Sequence, residues 1–199
     1  MSKFNQSIIK SFITYDEYKK LFKKQISIDD VNSLSETDKE FFEYRKLNFQ
    51  RSSRVEKTFT PSDETKKCFL SLTNNQRWFV ITESWCGDSA QSLPVIASLA
   101  QLSDKIEFNI VLRDSNPEFM NLYLTNGGKS IPKLVVFDNE WRELFNWGPR
   151  PEKTQALFNK LKEQGISKTD IIANIQLSYA KDRGKEVERE ITNLIQMVN

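Results

Sequence analysis

The sequence predicts an α/β fold with additional helices at both ends. Three observations point to it. The apolar run Trp78-Phe79-Val80-Ile81 reads as a buried strand and is followed within a few residues by a helical pattern, Leu93, Ile96, Leu99 and Ala100 on one face. A second run, Ile106-Glu107-Phe108-Asn109-Ile110-Val111-Leu112, and a third, Lys133-Leu134-Val135-Val136-Phe137, are of strand length, with a helical stretch between them. The segments before and after these strands carry helical periodicity and both charge signs. With 14 Phe and 4 Trp in 199 residues, the chain can bury a sizeable core.

The elements follow in order. Thr14 and Glu17 form a capping box ahead of the stripe Tyr15, Tyr18, Leu21 and Phe22. A second box, Thr37 with Glu40, is expected to open a charged helix through Phe41, Phe42, Tyr44, Leu47 and Phe49, with the aromatics as packing. Arg51 and Arg54, one turn apart on it, are either plain surface charge or reach an acidic partner. Thr60-Pro61-Ser62-Asp63 reads as a helix start with Pro at the first helical position, and the helix carries Cys68 as a buried thiol. After the second strand, a short helix over 118–125 closes at Asn126-Gly127-Gly128. Asp138-Asn139-Glu140 is a hairpin turn and 141–147 the last strand. A helix follows Gly148-Pro149-Arg150-Pro151, with Ala156, Leu157 and Leu161 inward. Ser167 and Asp170 cap the next, which ends at Gly184; Val187, Ile191, Leu194 and Val198 stripe the last. That last stripe either packs on the rest of the chain or forms a dimer seam, so the expected state is monomer or weak dimer.

The chemistry is expected at Thr82-Glu83-Ser84-Trp85-Cys86-Gly87-Asp88-Ser89. A strand, a tight turn and a helix place Cys86 at a helix N-terminus. Unpaired N–H groups and the helix dipole there favour a thiolate. Ser89 can donate to the sulfur, while the nearby charge of Asp88 works against ionisation.

Trp-Cys-Gly after a strand, Pro94 eight residues beyond the cysteine, and Ile131-Pro132 ahead of the third strand resemble the thioredoxin active site. More specifically, the chain resembles a bacterial group of thioredoxin-like proteins with helical extensions, in which the motif is Trp-Cys-Gly-Asp and a small residue, here Ser89, replaces the second cysteine. The resemblance implies a mixed central sheet, a thioredoxin-like domain at 61–163, a helical extension at 1–60 and another at 164–199. It implies that Pro94 kinks the helix, that the Ile131–Pro132 bond is cis beside the cysteine, and that residues 54–59 either supply the first strand or the strand is missing. It implies a groove between Trp85, Ile131, Pro132, Gly148 and Arg150, where Ile131 offers its backbone to an extended peptide and Gly87 and Asp88 border the sulfur. Arg150 would offset Asp88 or hold an anion, with Arg113 a weaker candidate. The acid that thioredoxins bury six residues before the cysteine is here Val80. Tyr179-Ala180-Lys181-Asp182 matches a stretch of the extended group and has no role assigned.

Much is excluded. A formal net charge of +2 gives no bulk support for nucleic-acid or membrane-surface binding. No apolar run reaches spanning length. The first ten residues lack the core of a signal peptide, so the expected location is cytoplasmic, where thiols stay reduced and a Cys68–Cys86 disulfide is disfavoured. The chain has no histidine, which removes His-based metal sites and any Cys–His dyad; no cofactor or metal is expected. Three functions remain: a monothiol thiol-disulfide oxidoreductase acting on a protein disulfide or with a low-molecular-weight thiol through Cys86 and Ser89, a non-catalytic peptide- or protein-binding module, and a cluster carrier resembling monothiol glutaredoxins. Asp88, where those glutaredoxins have Phe, counts against the last.

Overall fold

The computed structural model describes residues 4–199. Among them the chain order is α1 (Tyr15–Ile26), α2 (Glu36–Thr58), α3 (Asp63–Leu70), β1 (Gln76–Thr82), α4 (Gly87–Ala100), β2 (Ile106–Leu112), α5 (Pro117–Asn121), β3 (Lys133–Asp138), β4 (Glu143–Trp147), α6 (Glu152–Glu163), α7 (Lys168–Asp182) and α8 (Lys185–Val198). The four strands form one mixed sheet of order β2-β1-β3-β4. β1 runs parallel to β2 and antiparallel to β3, with Val80 opposite Ile110 and Leu134.

Strand alternation divides the core. Trp78, Val80, Ile110, Leu134 and Val136 face a cluster with α1, α2, α3, α4 and α8. Phe79, Ile81, Val111, Val135 and Phe137 face a second cluster with Phe119, Met120 and Cys86. Burial on both faces explains the unbroken apolar runs. A third, small cluster joins α6 to α7 through Phe158, Leu161, Ile171, Ile175 and Tyr179. Val187, Ile191 and Ile195 of α8 are fully buried in the first cluster, so the terminal stripe packs on the core.

Several expected boundaries move, each for a local reason. Residues 54–58 are the end of the 23-residue α2, so no strand forms there. The sheet edge beside β2 is met instead by Ile13, which exchanges two backbone hydrogen bonds with Ile110 at 2.9 and 2.8 Å. The cap of α2 is Ser35, whose hydroxyl accepts from the Asp38 N–H, rather than Thr37. Ser62 caps α3 in the same way through the Thr65 N–H and leaves Pro61 outside the helix. α5 starts at Pro117 and ends at Asn121, before a turn bridging Thr125 and Gly128. Trp141 has φ +61°, which breaks the extended run, so β4 begins only at Glu143. Cys68 is half-buried rather than buried, and both cysteines are free. No helix of the described residues is long and apolar enough to cross a membrane.

Candidate functional site

The turn between β1 and α4 is held from several sides. The Cys86 N–H donates to the Glu83 carbonyl at 3.1 Å, and the Glu83 carboxylate accepts from the Asp114 N–H at 3.0 Å. Ser84 is bolted to the N-terminal helices. Its hydroxyl donates to Gln25 of α1 at 2.6 Å and accepts from Arg45 of α2, and its carbonyl accepts from the Asn48 amide at 3.2 Å. Cys86 is thereby the N-cap of α4, as the sequence predicts, with no side-chain capping bond. Pro94 lies inside that helix.

The thiolate expectation is corrected. Cys86 is only 9% exposed, and burial pushes its thiol up to about 11, from an ordinary 9.0. Asp88 adds to the rise, while Ser89 and the first N–H groups of α4 oppose it without prevailing. The thiol donates to the Ile131 carbonyl at 3.3 Å. That carbonyl, expected to meet a peptide, already accepts from the protein's own sulfur, and Ile131 itself is buried. The Ile131–Pro132 peptide is cis. The Gly148 carbonyl accepts from the buried Lys133 ammonium. Gly148 has φ +106°, and a Cβ there would stand 2.3 Å from the Pro132 carbonyl oxygen, so its place is structural.

Asp88 and Arg150 do meet. Their side chains pair at 2.7 Å with 12% and 19% exposure. Of the two roles expected for Arg150, the structure shows the offsetting of Asp88. The guanidinium also lies 4.4 Å from the centre of the Phe158 ring. Burial raises the Asp88 carboxyl, and Arg150 works against that rise. Tyr179 adjoins Asp88 and Ser92 from α7, its hydroxyl buried and without a closed hydrogen bond. In the same stretch, the Asp182 carboxylate accepts from the Glu186 N–H in the first turn of α8. The Tyr-x-Lys-Asp stretch thus backs Asp88 and joins α7 to α8. Arg113 stacks 4.6 Å over Trp85 and pairs with Asp114. Val80 is wholly buried hydrocarbon, so no carboxyl lies at that position.

A cavity of about 420 Å³ opens beside the sulfur. Its floor is Trp85, Cys86, Gly87 and Asp88; α2 and α7 wall it with Phe41, Tyr44, Asn48, Arg51, Ile171, Ile175 and Gln176, and α6 adds Phe158. Ile131, Pro132 and Gly148 do not line it. The site residues therefore split into two groups on either side of Cys86. Sequence reasoning treated the α2 aromatics as packing and missed the α7 wall. The signal in the sequence was Arg51 on α2; Arg54 and Tyr179 do not line this cavity.

Comparison with known proteins places this geometry. A family model described as Thioredoxin matches residues 35–162, which takes in α2 as well as the sheet. A crystal structure of a protein of unknown function from Pseudomonas aeruginosa superposes with a TM-score of 0.62 at 13% identity, covering all of both chains. A crystal structure of an HIV epitope-scaffold gives 0.56 at 17% identity, covering 94% of this chain and all of that one. At those identities the likeness is one of fold. No curated protein sequence matches the chain.

Proposed function

The chain belongs to the thioredoxin family matched over residues 35–162, and from that premise we propose that it is a monothiol thiol-disulfide oxidoreductase that works with a low-molecular-weight thiol in the cavity beside Cys86. One observation carries this reading. The cavity of about 420 Å³ that Cys86 helps to line is walled by α2, α6 and α7 and is of a size for a small molecule. The Cys86 thiolate attacks one sulfur of a small disulfide; a new S–S bond forms, the old one breaks, and the departing half leaves as a thiolate. Ser89 cannot resolve the mixed disulfide, because a hydroxyl is a far weaker nucleophile than a thiolate. A second small thiol, ionised, attacks it, returns Cys86 as a thiolate and carries away the other half as a disulfide.

The raised thiol sets the pace. With a value near 11, only about one sulfur in ten thousand is ionised at pH 7. That observation also favours a second reading, a non-catalytic binding module that kept the site and lost the cycle.

Hydroxyethyl disulfide separates the two. The enzyme reading expects a mixed disulfide at Cys86, found by mass spectrometry in a Cys68→Ala background. Its rate should climb about tenfold per pH unit from 7 to 10, and mercaptoethanol should reverse it with turnover. Insulin reduction independent of added thiol should be absent, and Ser89→Cys should introduce it. No adduct at any pH, with the fold intact, would overturn the enzyme reading in favour of the binding module.

A further inference from the structure

We propose that the α2–α7 cavity binds a small monoanionic amphiphile, a carboxylate on an apolar body, with the carboxylate seated at Arg51 and Gln176 beside Gly87. The site goes beyond thiol exchange, because none of the groups that hold the ligand is the sulfur.

Charge gives the sign. The cavity is lined by Arg51, Arg150 and Lys168 against Glu40 and Asp88, which leaves one net positive charge. Arg150 and Asp88 satisfy each other. Arg51 does not have that option. It donates to the neutral Asn48 side-chain oxygen at 3.0 Å, and no carboxylate lies within ion-pair reach of it among the described residues. Burial and the repulsion of Arg54 make its own charge costly and Asp88, beyond ion-pair reach, works against that, so an anion brought to Arg51 relieves what remains.

Geometry gives the seat. The position that a Cβ on Gly87 would take lies 3.0 Å from the Gln176 amide nitrogen and 3.4 Å from an Arg51 terminal nitrogen. Two donors from two helices thus stand at the first residue of the 14-residue α4, next to its N-terminal N–H groups, together with the Asn48 side-chain oxygen at 3.8 Å, which already accepts from Arg51. The Gln176 oxygen is already engaged by Gln91, at 2.8 Å, which turns the amide N–H₂ toward this space. Phe41, Trp85, Phe158 and Ile175 supply apolar wall, beside the polar Thr37, Glu40 and Lys168. Tyr44 and Ile172, 43% and 42% exposed, sit at the rim. An anion with no apolar part would leave most of those walls wet, and an apolar ligand with no anion would leave Arg51 unanswered.

The test uses octanoate, octanol and octylamine as probes, titrated calorimetrically into the full chain and into Cys86→Ser. The expected result is octanoate binding at least about tenfold tighter than either of the others, and equally in both proteins. Arg51→Gln should bring octanoate down to the octanol level, while Arg51→Lys keeps part of the preference. Gly87→Ala, which puts a methyl group against both donors, should weaken octanoate and spare octanol. Equal affinity for octanoate and octanol, or an Arg51→Gln chain that still prefers octanoate, would overturn the proposal. Because Cys86→Ser cannot exchange disulfides, octanoate binding to it stands or falls separately from the monothiol reading.

Discussion

On one flank of Cys86 the protein has used up its own polar groups. The sulfur donates to the Ile131 carbonyl, the Lys133 ammonium to the Gly148 carbonyl, and Gly148 presses against Pro132. On the other flank Arg51 faces a cavity of about 420 Å³ with only a neutral partner. The first flank belongs to the sheet and its loops; the second is built by α2 and α7, which stand outside the strands. The difference teaches where recognition resides. The loops beside the sheet are here spent on closing the sulfur in, and the room left for a ligand is supplied by helices outside the sheet.

The closed flank should be the costlier one to disturb. Gly148→Ala forces a Cβ at φ +106° to within 2.3 Å of a backbone oxygen, and neither the backbone nor the oxygen is the end of a flexible side chain. A loss of roughly 4 kcal/mol in urea unfolding is expected. The folded fraction should also show faster alkylation of Cys86, since the Pro132 loop must move. A loss below about 1 kcal/mol would mean that this flank yields easily and that its closure does not hold the sulfur.

The next effect is a pH dependence. The Cys86 thiol is raised in the folded protein, so its contribution to stability is fully present below the ordinary value of 9.0 and is lost as pH rises toward about 11. Two units correspond to about 3 kcal/mol. The unaltered chain should therefore lose roughly that much between pH 8 and 11 relative to Cys86→Ser, read by denaturant unfolding at each pH. Asp88→Asn should shrink the window, because it removes the second cause of the rise and leaves burial, the first, in place. A chain whose stability tracks Cys86→Ser throughout would show that the sulfur ionises freely and that the closed flank is open to water.

How much of this was legible follows from the range of the interactions. β1, α4 and β3 were readable because their signals are local: apolar runs, a cysteine at a strand-to-helix turn, a proline before a strand. The cavity was not, because it depends on which faces of α2 and α7 turn inward. Phe41 lies near Trp85 and Gln176 near Gly87, pairings across 44 and 89 residues that no spacing rule encodes. The thiolate expectation went wrong for a related reason. The helix N-terminus is visible in sequence, while the desolvation that outweighs it comes from tertiary packing. At residues 54–59 the sequence leaves two outcomes open, a first strand or none, and the second holds because the 23-residue α2 runs on to Thr58.

The smallest expected effect bears on the open flank. Ser167 caps α7, accepting from the Asp170 N–H at 3.2 Å and donating to the Asp170 carboxylate at 2.7 Å. Ser167→Ala removes both and should cost about 1 kcal/mol. The loss acts first on the opening turn of α7, which carries Lys168, Ile171 and Ile172 of the cavity wall. Amide hydrogen exchange should quicken across that turn, and octanoate affinity should fall by less than about threefold, since Arg51 and Gln176 keep their places. Cys86 alkylation should not change, because the sulfur is held by Ile131 and by burial under other elements. If alkylation instead accelerates as it does in Gly148→Ala, the roof of the cavity and the closed flank open together. The two sides of Cys86 are then one cooperative unit, and α2 and α7 guard the thiol as well as shaping the space beside it.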